Sequence, residues 1–116
     1  MLKKEILRRK SDFQKIYRKG KSVADRYVVL FYLSNGLAYN RTAFLASRKV
    51  GNAVRRNRAK RLMRESWKEF ERDVPPGYDI IIIARNTINN RSCGEVKASV
   101  EKGLRRLKLL SRTGEK

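Results

Sequence analysis

Apolar residues recur along this chain with two periods, and those periods mark out its elements. Phe13, Ile16 and Tyr17 recur at i, i+3, i+4, which predicts a helix over about 12–19. Ser11 with Gln14 reads as a capping box at its start, and Gly20 reads as its stop. Residues 27–33 (YVVLFYL) are a dense run of β-formers. The Asn35-Gly36 pair follows, the strongest short hairpin signal, and then a second strand over about 42–47. These two strands are expected to pair antiparallel. A long helix should cover about 52–72. At about 100° per residue, Ala59, Leu62, Met63, Ser66, Trp67 and Phe70 share one arc, its core side. Pro75-Pro76-Gly77 turns the chain. Residues 78–84 contain four consecutive isoleucines, Ile80 to Ile83, the pattern of a central strand buried on both faces. Ser92 with Glu95 is a second capping box. Val96, Val100, Leu104, Leu107 and Leu110 then make the stripe of a closing helix.

The predicted order is α-β-β-α-β-α, an α+β fold with helices covering one face of a small mixed sheet. The strand-helix-strand passage through the long helix reads as a parallel crossover, right-handed by the usual rule. The length suits a single domain, 1–116, with residues 1–8 and 111–116 expected to be flexible. Neither a repeat nor a linker interrupts it.

Charge changes the picture more than length does. Thirty Lys and Arg face eleven Asp and Glu, a formal net charge of +19, with a pI near 10.9. Such an excess repels itself in a compact fold unless a polyanion neutralises it. Nucleic acid is the leading partner class; an anionic membrane surface and a merely solvated surface are the alternatives. No apolar run approaches the ~18 residues needed to span a bilayer. A single cysteine, Cys93, excludes an intrachain disulfide and fits a reducing, cytoplasmic setting. It is read as a small helix-entry residue, the other reading being a thiol of lowered pKa. With no histidine, Cys/His zinc sites and a histidine general base are excluded. Asp12, Asp25 and Asp79 are read as caps and ion-pair partners, since their spacing does not suggest a two-metal site. No catalytic residue is assigned.

The charge is concentrated. Residues 48–64 read RKVGNAVRRNRAKRLMR, with six arginines, two lysines and no acid. Solvated helices usually alternate signs to gain i, i+4 pairs, and this one forgoes them. Asn57, Arg58, Lys60, Arg61, Arg64 and Lys68 fall mainly opposite the apolar arc. Arg55, Arg56 and Arg58 crowd a helix N-terminus that is already partly positive, an unfavourable placement unless phosphates sit there. Gly51 either takes a positive φ, lets a ligand approach, or simply turns the chain. Arginine suits phosphate forks and base stacking, but charge alone does not separate RNA from DNA. Five aromatics, Phe13, Tyr17, Tyr27, Phe31 and Tyr32, lie within twenty residues, and by period two Tyr27 and Phe31 point the same way. They form either a stacking platform for single-stranded nucleic acid or part of the core.

The string KVGNAVRRNRAKRLMRE, Lys49 to Glu65, resembles the signature of the bacterial ribonuclease P protein subunit, its core here being Ala53, Arg56, Asn57, Lys60, Arg61 and Arg64. Leu7 to Ser22 resembles the family's opening helix and Gly77 to Arg85 its later strand. The likeness runs in register over about 7–110, with Ala59 where a larger aliphatic is usual. The resemblance implies a fold like the second domain of ribosomal protein S5, with a left-handed crossover. It implies a subunit of an endoribonuclease that removes the 5′ leader of precursor tRNA, its catalytic subunit being an RNA that holds the magnesium. The protein alone should then be inactive, with one protein per RNA. By position, the catalytic-RNA contacts would be Arg48, Lys49, Asn52, Arg55, Arg56, Asn57, Arg58, Lys60, Arg61, Arg64 and Lys68. The precursor-tRNA leader contacts would be Arg9, Phe13, Tyr17, Phe31, Ser47 and Lys49, the last two on the second strand. A non-catalytic ribosomal or other RNA-binding protein, and an independent metal nuclease using Asp12, Asp25 or Asp79, are the competing classes.

Overall fold

The computed structural model describes residues 6–110. Its elements are α1 (Lys10–Lys19), β1 (Lys21–Ala24), β2 (Val28–Ser34), β3 (Arg41–Leu45), α2 (Ala53–Phe70), β4 (Tyr78–Ala84) and α3 (Cys93–Arg106). The strands form one mixed sheet in the order β1-β2-β4-β3. β4 runs antiparallel to β2 and parallel to β3, so α2 is the crossover between parallel neighbours. The α+β class expected from the periodicity is the one observed.

The isoleucine run organises this arrangement. Ile80, Ile81 and Ile82 are wholly buried, each worth roughly 1.5–3 kcal/mol relative to exposure. Alternation sends Ile80, Ile82 and Ala84 into a core shared with α2 and α3, and Ile81 and Ile83 into a second cluster under α1. The sheet therefore carries helices on both faces, not on one. α1 has its own apolar partners: Ile16 joins Leu7, Ala43 and Ile81, with Phe13 and Phe31 packed alongside.

The expected hairpin between β2 and β3 does not form. Asn35 and Gly36 do bend the chain, with Gly36 at φ +72° and the Asn35 side chain accepting from the Leu37 N–H at 2.8 Å. The connection then runs on to Arg41, and β4 occupies the place between β2 and β3. A strand buried on both faces gains most with a neighbour on each edge, and that non-local demand outweighs the local turn signal. β1, a four-residue edge strand, escaped prediction because only Val23 of it packs inward.

Helix ends divide in the same way. Ser92 and Glu95 form the complete capping box, and Asn52 caps α2 by accepting from the Arg55 N–H at 3.0 Å. Ser11, by contrast, lies inside α1, whose N-cap is Arg9 with no side-chain cap. Gly20 does end α1, but in extended conformation. A Cβ there would lie 2.5 Å from the carbonyl oxygens of both Ile16 and Tyr32, so close approach selects the glycine.

One polar cluster is buried with the strands. Asp79, 5% exposed, accepts from Arg41 Nε at 2.8 Å and Nη2 at 2.7 Å, and from Asn35 Nδ2 at 2.9 Å. Arg41 also reaches Asp12 of α1 at 3.5 Å. Of the ends expected to be flexible, residues 1–5 and 111–116 lie outside the described residues. Ile6 bridges to Thr42, and Leu7 is buried.

Candidate RNA-binding surfaces

The basic segment folds as a turn followed by a helix. Val50 is buried and anchors the turn, with its N–H donating to the Ser47 carbonyl at 3.0 Å and the Gly51 N–H to that of Arg48 at 3.1 Å. Gly51 sits at φ +142°, a region L side chains rarely adopt. The positive-φ reading of this glycine therefore holds. Arg48 and Lys49 stand exposed on the turn.

On α2 the predicted apolar arc is the buried one: Ala59, Leu62, Met63, Ser66 and Trp67 are buried, with Phe70 at the edge of the same core. Ser66, the polar member, donates to the Leu62 carbonyl at 2.7 Å. Asn57, Arg61, Arg64 and Lys68 form an exposed stripe at i, i+4, i+7, i+11. Asn52 and Arg55 are exposed beside it, and Arg56, Arg58 and Lys60 are half-buried. No acid occupies the first turn of α2, so nothing on the helix offsets the positive end. Arg64 lies over the Phe44 ring at 5.8 Å, which orients the guanidinium while leaving its edge exposed. Arg58 donates to the Arg91 carbonyl at 2.8 Å, so part of its capacity serves the fold.

The second surface lies on the opposite face of the sheet. Phe13 and Tyr17 of α1 meet Phe31 of β2: Tyr17 stands edge-on to Phe31 at 5.0 Å and tilted to Phe13 at 6.4 Å. Phe13 and Phe31 are half-buried against the Ile16–Ile81 cluster, whereas Tyr17 is 43% exposed. Partial burial raises the Tyr17 phenol pKa above its ordinary value. Arg9 precedes α1 and is exposed.

The structure divides the other predicted residues. Ser47 and Lys49 are not on a strand. β3 ends at Leu45, and both residues stand exposed on the following turn, where the Lys49 N–H donates to Ser47 Oγ at 3.3 Å. That turn joins β3, which floors the aromatic cleft through Ala43 and Leu45, to the cationic helix. Tyr27 and Phe31 do not point the same way. Tyr27 precedes β2, so strand alternation does not reach it, and it packs with Tyr32 against the α2–α3 core. The five-aromatic run is thus split, three rings on the α1 face and two in the other core.

Asp12 and Asp79 flank Arg41, while Asp25 accepts from Ser99 Oγ at 2.6 Å and lies 3.7 Å from Arg106. Burial works to raise the Asp25 pKa, but Ser99, the Arg26 N–H, Lys102 and Arg106 together lower it. Among the described residues no three acids, cysteines or histidines gather as a metal site. Cys93 occupies the first position of α3, exposed, its Sγ 3.8 Å from Glu65 Oε1. Sequence patterning missed Phe44 and Arg91, which meet the basic helix only in three dimensions. The paired asparagines before Arg91 were the one local hint of a tight turn there.

Comparison with known proteins adds to this geometry. The family model for Ribonuclease P matches residues 1–108. The ribonuclease P protein component of Pelotomaculum thermopropionicum is 40% identical over 105 residues, covering 90% of this chain and 94% of that protein. The solved RNase P protein of Staphylococcus aureus superposes with a TM-score of 0.85 at 34% identity, over 94% of this chain and all of that one. That of Thermotoga maritima gives 0.77 at 32% identity, over 97% and 100%.

Proposed function

The chain belongs to the ribonuclease P protein family, and from that premise we propose that it works as the RNA-anchoring and leader-binding subunit of the enzyme. A role in removing the 5′ leader of tRNA precursors, in association with the ribonuclease P RNA, comes with the family. The division of labour within the chain is our reading. The catalytic RNA lies along α2 and the turn before it, contacting Arg48, Lys49, Arg55, Arg56, Arg61 and Arg64. The precursor's single-stranded leader stacks in the cleft of Phe13, Tyr17 and Phe31, with Lys49 and Ser47 between the two.

The observation that carries this reading is the exposed stripe Asn57, Arg61, Arg64 and Lys68 with no acid in the first turn of its helix. Such a face costs an isolated protein self-repulsion and is relieved by a phosphate backbone. Chemistry belongs with the RNA in this reading. The two acids that approach one another, Asp12 and Asp79, are committed to Arg41, and Asp25 is held by α3. An independent nuclease built on these three acids would need them together. Magnesium, held by RNA phosphates, supplies Lewis-acid activation of the attacking water. The side chains of this protein neutralise charge, hold the leader and fix its path. One copy per RNA, in the cytoplasm, completes the proposal.

Reconstitution tests it. Purified protein should not cleave precursor tRNA, and adding the catalytic RNA at low magnesium should restore cleavage. Cleavage by the RNA-free protein, or no stimulation of the RNA by folded protein, would sink the reading.

A further inference from the structure

Beside the N-terminal half of α2 lies a recess of about 400 Å³, lined by Arg55, Arg58, Asn89, Asn90, Arg91 and Glu95. Two of its arginines come from the basic segment. The third comes from the loop that leads into α3, thirty-three positions beyond Arg58. That loop is held in place. Asn89 Nδ2 donates to the Val50 carbonyl at 2.7 Å, tying it to the turn before α2. Arg58 grips the Arg91 carbonyl, and Asn90 takes a left-handed φ of +66°.

The electrostatics of the recess are uneven. Three guanidinium groups surround one carboxylate, and that carboxylate is already engaged: Glu95 Oε1 accepts from the Ser92 N–H at 2.9 Å as part of the capping box. Arg91 meets the other oxygen only at 3.4 Å and lies over the Tyr27 ring at 5.7 Å. Its side chain is nonetheless 41% exposed, so guanidinium N–H groups remain open to the recess, and a phosphate oxygen is a strong acceptor for such charged donors.

We propose that this recess seats a backbone phosphate of the catalytic RNA, so that Arg91 extends the RNA interface off the basic helix and onto the loop before α3. The inference rests on the RNA-anchoring reading above and adds a residue that no part of the basic signature includes. Both the catalytic RNA and the precursor tRNA carry such phosphates. The recess adjoins the α2 face and lies across the sheet from the aromatic cleft, which assigns it to the catalytic RNA.

The salt dependence of binding tests it. Affinity of the full chain for the catalytic RNA, measured against salt concentration, should show a slope about 0.7–0.9 shallower for Arg91→Gln than for wild type. Arg91→Lys, which keeps the charge, and Lys97→Gln, which lies outside the recess, should both keep the wild-type slope. Arg91 also touches Tyr27 and Glu95, so circular dichroism and thermal melts accompany each variant. If Arg91→Gln misfolds, Asn90→Asp takes its place. It introduces a carboxylate at a residue tolerant of left-handed backbone and should weaken RNA binding most at low salt. A folded Arg91→Gln with an unchanged slope, or Asn90→Asp with unchanged affinity, overturns the proposal. A reduced slope seen only for precursor tRNA on the assembled enzyme overturns the assignment to the catalytic RNA. Wild-type protein that does not bind the catalytic RNA defeats both readings together, whereas normal wild-type binding with a silent Arg91 defeats this one alone.

Discussion

The cationic surface on α2 and the aromatic cleft under α1 lie on opposite faces of one sheet, and they depend on the fold in different ways. The exposed cations of α2 hang from a helix whose apolar back does the packing, so those side chains are nearly independent of stability. The cleft offers no such separation. Phe13 and Phe31 belong to the small cluster of Leu7, Ile16, Ala43 and Ile81 that holds α1 to the sheet. Charge can be laid on a finished surface, whereas a stacking site for bases has to be built from the edge of a core.

Three substitutions test that contrast. Ile81→Ala empties the middle of the smaller cluster and should cost about 2–5 kcal/mol in denaturant unfolding. It should damage the cleft and leave the charge-dependent slope of RNA binding intact in whatever protein remains folded. An equal loss of both would mean that the two faces are not separable. Tyr17→Ala removes the most exposed ring of the cleft. Stability should change little, while preference for leader-bearing over mature tRNA should fall by about 1–3 kcal/mol, the worth of one stacked base. Unaltered discrimination would remove Tyr17 from the leader site. Arg61→Ala is the gentlest. Stability should stay within about 0.5 kcal/mol, and the salt slope for the catalytic RNA should fall by about 0.7–0.9. A melt shifted by several degrees would show that this surface, too, serves the fold.

What the sequence discloses follows from how local each cause is. The capping box at Ser92 and Glu95, the apolar arc of α2 and the burial of the isoleucine strand are decided within a few residues, and each is found where patterning puts it. The pairing of β2 is decided by β4, more than forty residues further on, so Asn35-Gly36 reported a bend truthfully and the partner wrongly. Tyr27 and Phe31 parted for a similar reason. A strand boundary one residue away changes which face a ring meets, and no periodicity marks that boundary. The cationic stripe was legible because helical geometry alone generates it. Arg91 was not, because its place beside Arg58 exists only once α2 and α3 are packed together.

Asp79 has a consequence for how the sheet finds its alignment. Ile80 to Ile83 are identical, so sliding β4 by one residue would exchange their two faces and still present isoleucine to both cores. The hydrophobic run is thus silent about its own reading frame. Arg41 and Asp79 are direct partners across β3 and β4, and Asn35 closes on the same carboxylate from the end of β2. A slip in either direction would strand the arginine and the carboxylate apart, at heavy cost for groups so little hydrated. The buried pair therefore works as punctuation. It tells four interchangeable letters where to begin, and with that sets which isoleucines lie beneath α2 and which lie beneath the aromatic rings.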